Sequence, residues 1–70
     1  MTNIQKIGFV GGGNMAEAII KGLLEAAFPT EKIMVSEPSD LRREHLSEAY
    51  NINVVSDNLE VIRQCDLVVL

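Results

Sequence analysis

Short apolar runs alternate with longer amphipathic stretches along the whole chain. Four runs rich in β-branched and aliphatic residues have the length of strands, and they lie at residues 6–10, 32–36, 52–55 and 66–70. Between them, apolar residues recur at helical spacing over residues 14–27 and 41–50, and a shorter helix is predicted to end at Gln64. This alternation predicts a βαβαβαβ chain, and therefore an α/β fold built on a parallel sheet.

Turn and capping residues mark the ends of the predicted helices. Pro29 ends the first helix, and either Ser39 or Asp40 can cap the second. Asn51 is typical of a helix C-terminus, and Asp57 is typical of the residue that starts a short third helix.

The first helix is amphipathic. Its predicted apolar face consists of Ala16, Ile19, Ile20, Leu23 and Ala27. Glu17 lies on the opposite face, at the favourable spacing for an ion pair with Lys21. Gly22 lies inside this helix, where glycine costs roughly 1 kcal/mol relative to alanine. Because Gly22 follows Ala18 by four residues on a similar face, we expect it to allow a close approach between the helix and a strand, and the alternative is a surface glycine.

Right-handed crossovers determine the expected order of the strands. They place the second and fourth strands on either side of the first, so the predicted order is 3-2-1-4. The last run, residues 67–70, is apolar enough to need cover on both faces. We expect residues 1–70 to be the N-terminal part of a doubly wound, Rossmann-type domain whose remainder is absent. The alternative is a complete small domain that dimerises to cover itself.

Charge and composition exclude several classes of function. The 70 residues include 6 Lys and Arg against 10 Asp and Glu, a net charge of −4, which argues against a nucleic-acid or anionic-membrane partner. The single cysteine, Cys65, can form neither an internal disulfide nor a zinc site. No run approaches the ~20 apolar residues of a membrane span. The polar segment 1–6 does not resemble a signal peptide, so we expect a cytoplasmic protein.

The segment that follows the first strand carries the strongest functional motif. Residues 10–16 read VGGGNMA and match the dinucleotide-binding pattern G-x-G-x-x-G/A between a strand and a helix. Gly11 would form the tight turn, Gly13 would let the backbone approach a pyrophosphate, and Ala16 would let the helix pack closely. The free N–H groups of the helix N-terminus would bind the anion. The alternative is a glycine-rich turn that binds no ligand.

The end of the second strand is where such a fold reads the adenosine ribose. An acidic residue there prefers a 2′-hydroxyl, whereas hydroxyl and basic residues accommodate a 2′-phosphate. Ser36, Ser39, Arg42 and Arg43 favour the phosphate, and Glu37 opposes it. Strand alternation sends Ser36 and Glu37 to opposite sides, so only one of them can face the ribose.

Catalytic and metal-binding patterns are not visible in the sequence. It contains no paired carboxylates, metal-ligand spacing or Ser/His/Asp arrangement, so we predict no catalytic residue and no metal ligand in this chain. We expect His45 to be solvated, Tyr50 to pack in the core and Cys65 to be a small buried apolar residue.

The residues around the glycine motif also resemble one family. Residues 7–19, IGFVGGGNMAEAI, followed by Gly22 and Leu23, resemble the N-terminus of pyrroline-5-carboxylate reductase. The resemblance continues through KIMVSEP at residues 32–38, Asn58, and CDLVVL at residues 65–70, and so covers nearly all of the chain. The pattern of the last strand is shared with several related reductases.

The resemblance implies an enzyme that transfers a hydride from a nicotinamide cofactor to the imine carbon of 1-pyrroline-5-carboxylate and produces L-proline. It implies three groups of cofactor-binding residues: Val10, Gly11, Gly12, Gly13, Asn14 and Met15 at the diphosphate, Ser36 and Glu37 near the adenosine ribose, and Asn58 and Leu70 further along the cofactor. The family often has a hydroxyl residue where Glu37 stands. We therefore expect both NADPH and NADH to be used, with NADPH slightly ahead.

The same resemblance implies that the substrate site and a helical dimerisation domain follow Leu70 in a homo-oligomeric parent protein. On this basis we expect the 70 residues alone to be inactive. Two alternatives stay open: another reductase of the superfamily, of the β-hydroxyacid or coenzyme F420-dependent NADP type, and a non-catalytic nucleotide-sensing domain.

Overall fold

The computed structural model describes residues 6–70, in which four parallel strands form one sheet in the order β3-β2-β1-β4. The strands are β1 (Ile7–Val10), β2 (Ile33–Ser36), β3 (Asn53–Val55) and β4 (Leu67–Val69). The helices are α1 (Asn14–Glu25), α2 (Asp40–Tyr50) and α3 (Asn58–Gln64), and a short 3₁₀ helix covers Thr30–Lys32. The predicted α/β class and strand order are confirmed. The prediction that the N-terminal segment is not a signal peptide concerns residues 1–6. Of these, only Lys6 lies within the described residues.

The two central strands are buried on both faces, and the two edge strands are not. Ile7 is aligned with Ile33 of β2 and Leu67 of β4, and Phe9 is aligned with Val35 and Val69. All four residues of β2 are buried, whereas β3 and β4 contain no buried residue. The burial of β1 and β2 on both faces agrees with their continuous apolar sequences, whereas β4 is equally apolar but lies at the edge of the sheet.

The helices lie on both faces of the sheet. A core cluster on one face combines residues of β1 and β2 with the fully buried Ile20 of α1 and Leu46 of α2. On the opposite face, the fully buried Val61 of α3 packs over Gly8 of β1. An ideal Cβ at Gly8 would lie 2.5 Å from Val61 Cγ1 and 2.6 Å from Cys65 Sγ. Gly8 is therefore the glycine that permits close packing of a helix on a strand.

The prediction that Gly22 fulfils that role is wrong. Gly22 is exposed, and a Cβ added there meets no heavy atom within 4 Å among residues 6–70. Helical spacing placed Gly22 near Ala18 on one face, but α1 turns that part of its surface to solvent because Ile20 is the residue that it buries.

The apolar face of α1 also differs from the predicted one. Leu23, Leu24 and Phe28 pack against the core, whereas Ile19 is 37% exposed. The helix ends at Glu25 rather than at residue 27, because Ala27 adopts a left-handed conformation with φ +67°. This turn lets the Phe28 N–H donate to the Leu23 carbonyl at 2.9 Å and directs the Phe28 side chain toward the core.

The predicted capping residues have the expected geometry. Ser39 Oγ accepts a hydrogen bond from the Arg42 N–H at the start of α2, and Asp57 Oδ1 accepts one from the Leu59 N–H at the start of α3. Asn51 ends α2 in a left-handed conformation with φ +56°. None of the helices within residues 6–70 combines the length and the apolar character needed to cross a membrane.

Gly8 and Gly22 generate a matched pair of predictions with opposite signs. Gly8→Ala should lower the free energy of unfolding by about 1–3 kcal/mol, because the new methyl group overpacks the contact with Val61 and Cys65. Gly22→Ala should raise it by roughly 0.5–1 kcal/mol, because alanine is the better helix former and the space is open. Urea unfolding of both variants measures the two changes, and equal signs would contradict this account of the packing.

Candidate functional site

The loop between β1 and α1 begins with a residue that must be glycine. Gly11 has φ +98°, a backbone conformation that side chains with a Cβ rarely adopt. Its N–H donates to the Ser36 carbonyl at 2.8 Å, which ties the end of β1 to the end of β2. Gly11 therefore forms the tight turn that the motif predicts.

Gly12 is the buried residue of the loop. A Cβ there would lie 2.6 Å from Leu46 Cδ1 and 3.1 Å from Glu37 Oε1. The Gly12 N–H donates to Glu37 Oε1 at 2.9 Å, and the Gly12 carbonyl accepts from the Arg42 guanidinium, with Nε at 3.1 Å. Two charged side chains thus hold both backbone polar groups of one residue. The dinucleotide-binding motif allows any residue at position 12, so it does not predict that the packing around Gly12 requires a glycine there.

The space around Gly13 is open, whereas the space around Gly12 is filled. The φ of Gly13, −79°, is ordinary, and a Cβ added to it would meet nothing within 4 Å in the described part of the chain. Gly13 is the N-cap residue of α1 and has no side chain to bond the N–H groups of the first helical turn. Backbone N–H groups and the positive end of the helix dipole are therefore available to an anion that approaches at Gly13.

A pocket of about 270 Å³ opens beside this helix end. Its lining residues come from β1, the glycine loop, the first turn of α1 and the end of β4: Phe9, Val10, Gly11, Gly13, Asn14, Met15, Ala16, Val69 and Leu70. The pocket thus lies at the carboxyl ends of β1 and β4, where the strand order reverses and open α/β sheets bind ligands. Six of the ten proposed cofactor residues lie on its wall: Val10, Gly11, Gly13, Asn14, Met15 and Leu70.

Ser36 and Asn58 form a separate pair on the α3 side of the sheet. Ser36 is completely buried, and its hydroxyl donates to Asn58 Oδ1 at 2.6 Å. The same hydroxyl lies 3.5 Å from the Phe9 carbonyl oxygen. Because Oδ1 accepts from Ser36, the side-chain amide of Asn58 has a defined orientation, and its NH₂ group is the part that can donate elsewhere.

Glu37 points to the opposite side, toward the glycine loop and α2. Its two carboxylate oxygens accept hydrogen bonds from the Gly12 N–H and, at 3.0 Å, from the Ser39 N–H. The pKa of Glu37 is lowered, first by the Ser39 N–H and then by the Gly12 N–H, with smaller effects from the charges of Arg42 and Arg43. Glu37 therefore carries its negative charge in this position at neutral pH.

Three side chains of α2 contact a second carboxylate, that of Glu17 in α1. Arg42 Nη2 lies 3.1 Å from Glu17 Oε1, His45 Nε2 lies 3.0 Å from Oε2, and the Tyr50 hydroxyl donates to Oε2. These hydrogen bonds lower the pKa of Glu17 to about 2. The bond from Tyr50 has the largest effect, followed by those of His45 and Arg42. The bond to Glu17 also raises the pKa of Tyr50 to about 12.

These four residues (Glu17, Arg42, His45 and Tyr50), which we call the Glu17 cluster, were not predicted from the sequence. Helical spacing pairs Glu17 with Lys21 and predicts a solvated His45. His45 is exposed as predicted, but its Nε2 contacts Glu17. A signal was present, since Arg42, His45 and Tyr50 occur at spacings that share one face of α2, but no local pattern identifies the carboxylate opposite them.

Metal-binding clusters are absent from residues 6–70: no group of three or more His, Cys, Asp or Glu side chains is placed to hold a metal ion.

Burial raises the pKa of the Cys65 thiol. Cys65 therefore stays a protonated, packed side chain next to Gly8 at neutral pH.

The fold and the site define a nucleotide-binding α/β domain with a glycine loop at its switch point. The chain matches over residues 6–70 the family described as NADP oxidoreductase, coenzyme F420-dependent, and it belongs to that family. It is 39% identical over 66 residues to a pyrroline-5-carboxylate reductase of Vibrio alginolyticus, and 35% identical over 65 residues to that of Arabidopsis thaliana. These alignments cover 94% and 91% of this chain, and 24% of each relative.

A solved structure agrees with these similarities. A pyrroline-5-carboxylate reductase from Coxiella burnetii superimposes with a TM-score of 0.87 at 30% identity, over 94% of this chain and 24% of that protein. The resemblance inferred from residues 7–19 is thus confirmed. The chain spans about a quarter of the length of the curated relatives described above.

The Glu17 cluster predicts a specific dependence of stability on acidity. The pKa of Glu17 is about 2 in the folded chain against an ordinary 4.5, so its stabilising effect is complete above pH 4.5. The effect should diminish as the pH falls from 4.5 toward 2, because protonation removes the charge that Tyr50, His45 and Arg42 hold.

The free energy of unfolding, measured against pH for the wild type and Glu17→Gln, tests this prediction. The variant should be less stable at neutral pH, and its curve should converge on that of the wild type in acid. Glu25→Gln, an exposed change on the same helix, is the control. Parallel curves for Glu17→Gln and the wild type would contradict the prediction.

Proposed function

We propose that this chain is the cofactor-binding part of a reductase that converts 1-pyrroline-5-carboxylate to L-proline. The observation that carries the proposal is the open approach at Gly13 to the uncapped N-terminus of α1, on the wall of the pocket at the switch point. The names of the relatives from Vibrio and Arabidopsis support the choice of substrate. Because the family is described as a coenzyme F420-dependent NADP oxidoreductase, a reductase of that type is the second candidate function.

The residues around the pocket and the glycine loop fit a nicotinamide dinucleotide. When bound, this cofactor would supply the hydride that reduces the imine carbon of the substrate. The backbone of residues 10–15 would hold the diphosphate, because its loop leaves N–H groups and free space at Gly13. Leu70 would lie near the nicotinamide end, since it lines the β4 side of the pocket.

The remaining cofactor residues would act around the adenosine half. Asn58 would donate from its NH₂ group, with Ser36 as the buried partner that orients it. Glu37 would lie at the adenosine ribose, because it follows β2 directly and contacts the glycine loop. We propose that both NADPH and NADH bind, with NADPH slightly ahead, in line with the NADP of the family description.

The whole protein would have further parts. Since the chain spans 24% of the relatives from Vibrio and Arabidopsis, we propose that it is the N-terminal part of a Rossmann domain and that a helical dimerisation domain completes a homo-oligomer. We propose a cytoplasmic enzyme with a small-molecule substrate. We also propose that it has no nucleic-acid or membrane partner, and the net charge of −4 supports this part of the proposal.

Gly13→Val tests the proposal in the whole protein that carries this chain. The variant should fold, because the space at Gly13 is open within residues 6–70, but it should lose reduction of 1-pyrroline-5-carboxylate and most of its affinity for both dinucleotides. The branched side chain would keep the diphosphate away from the N–H groups of α1. Binding is followed by titration with NADPH and NADH, and turnover by the absorbance of the reduced nicotinamide.

Gly22→Val is the matched control, because it places the same side chain in open space on the same helix. It should leave binding and turnover unchanged. Wild-type binding without reduction of the pyrroline would overturn the proposed reaction, and unchanged dinucleotide affinity of Gly13→Val would overturn the proposed diphosphate site.

A further inference from the structure

One peptide group of the glycine loop carries both the carbonyl of Gly12 and the N–H of Gly13. Glycine has the widest backbone freedom of any residue, so a peptide group between two glycines rotates at little cost. Packing excludes a side chain at residue 12 that could restrain this rotation, because a Cβ there would lie 2.6 Å from Leu46 Cδ1. The restraint must therefore come from another part of the chain.

Arg42 holds the carbonyl end of this peptide group. Its guanidinium donates to the Gly12 carbonyl oxygen through Nε, at 3.1 Å, and also through Nη2. The backbone of Arg42 is itself fixed in the first turn of α2, because its N–H donates to Ser39 Oγ at 3.2 Å. In a planar trans peptide group the N–H and the carbonyl point in opposite directions. The N–H of Gly13 is therefore directed away from the Arg42 guanidinium.

The two glycines of this peptide group differ in their relation to the pocket. Gly13 lies on the pocket wall with the first turn of α1 and the end of β4, and Gly12 lies against Leu46 of α2. A cation bonded to a carbonyl oxygen also polarises the peptide group, which makes its N–H a stronger donor. Arg42 can thus both orient and strengthen the Gly13 N–H as a donor to an anion.

Glu17 holds the Arg42 guanidinium from a second side. Arg42 Nη2 lies 3.1 Å from Glu17 Oε1, and the Glu17 side chain is only 17% exposed. Glu17 is charged at neutral pH, because its bonds to Tyr50, His45 and Arg42 lower its pKa to about 2. A guanidinium fork can bond the loop carbonyl and this carboxylate together, whereas the ammonium group of a lysine lacks the planar fork.

We propose that Arg42 is a positioning residue for the dinucleotide diphosphate. It orients the peptide group between Gly12 and Gly13 so that the Gly13 N–H faces the diphosphate, and Glu17 acts through Arg42 by holding its guanidinium. The inference rests on the proposed function, which gives the glycine loop a diphosphate to bind. Arg42 acts through the loop, because an ordered loop loses less conformational freedom when the ligand binds.

ADP-ribose contains the diphosphate and lacks the nicotinamide, so its binding does not depend on turnover. Isothermal titration of the whole protein that carries this chain measures its affinity, and circular dichroism shows that each variant is folded. Arg42→Met should weaken binding about tenfold, the size expected for one hydrogen bond to a charged group. Arg42→Lys keeps the charge and loses the fork, so it should weaken binding by about threefold. If Arg42→Met does not fold, Arg42→Lys decides.

Salt separates the orientation of the peptide group from the net charge of Arg42. The Debye length falls from about 10 Å at about 0.1 M KCl to about 4 Å at about 0.5 M, which screens attraction between exposed charges. The loss in Arg42→Met should persist at both concentrations. Arg63→Met removes the same charge from an exposed position of α3 and should bind ADP-ribose as the wild type does. A loss seen only at low salt, or an equal loss in Arg63→Met, would overturn the inference.

A double-mutant cycle tests the role of Glu17. Glu17→Gln should weaken ADP-ribose binding by about two- to threefold in the wild type and have no further effect in Arg42→Met, because it acts through that side chain. Equal losses in both backgrounds would show that Glu17 acts independently of Arg42 and would contradict its part of the inference. Wild-type affinity in the folded Arg42 variant that decides would overturn the whole inference.

Gly13→Val separates this inference from the proposed function. If Gly13→Val loses ADP-ribose and Arg42→Met binds it normally, the diphosphate site stands and the inference on Arg42 fails. If the wild type does not bind ADP-ribose, both fall. If the Arg42 variants behave as expected but 1-pyrroline-5-carboxylate is not reduced, only the proposed reaction fails.

Discussion

The peptide groups of Gly12 are the point on which the site depends. Glu37 holds the N–H and Arg42 holds the carbonyl, and both side chains come from the segment between β2 and the first turns of α2. A buried glycine backbone must have partners for its polar groups, and charged side chains make the stronger ones. By engaging Gly12, the protein keeps the next residue, Gly13, and the N-terminus of α1 free to face a ligand.

The Glu17 cluster extends this arrangement across two helices. Arg42 bonds Gly12 and Glu17 at once, so the glycine loop, α1 and α2 are connected through one guanidinium group. Glu17 also binds His45 and Tyr50, which lie further along α2. The position of α2 relative to the loop therefore depends on polar contacts at the surface as well as on the burial of Leu46 beneath Gly12.

The electrostatics of the site differ from those of the whole chain. A net charge of −4 would disfavour an anionic ligand at long range, but screening limits this effect to about 8–10 Å at physiological salt. At the site, the N–H groups of α1 and the guanidinium groups of Arg42 and Arg43 act at short range. Glu37 and Glu17 offset part of that positive charge, so the open N-terminus of α1 lies near two carboxylates that are already bonded within the protein.

Local patterns in the sequence determined the parallel sheet, its order, the glycine turn at Gly11 and the caps at Ser39, Asn51 and Asp57. These features depend on the spacing of apolar residues, the handedness of crossovers and contacts within a few residues. Only the tertiary structure decided that Gly8 and Gly12, and not Gly22, are the closely packed glycines. It also decided that Glu17 gathers three residues of α2, and that Glu37 rather than Ser36 faces the loop. Each of these outcomes depends on which atoms of distant segments fill the same space, and the periodicity of one segment carries no information about its neighbour across the sheet.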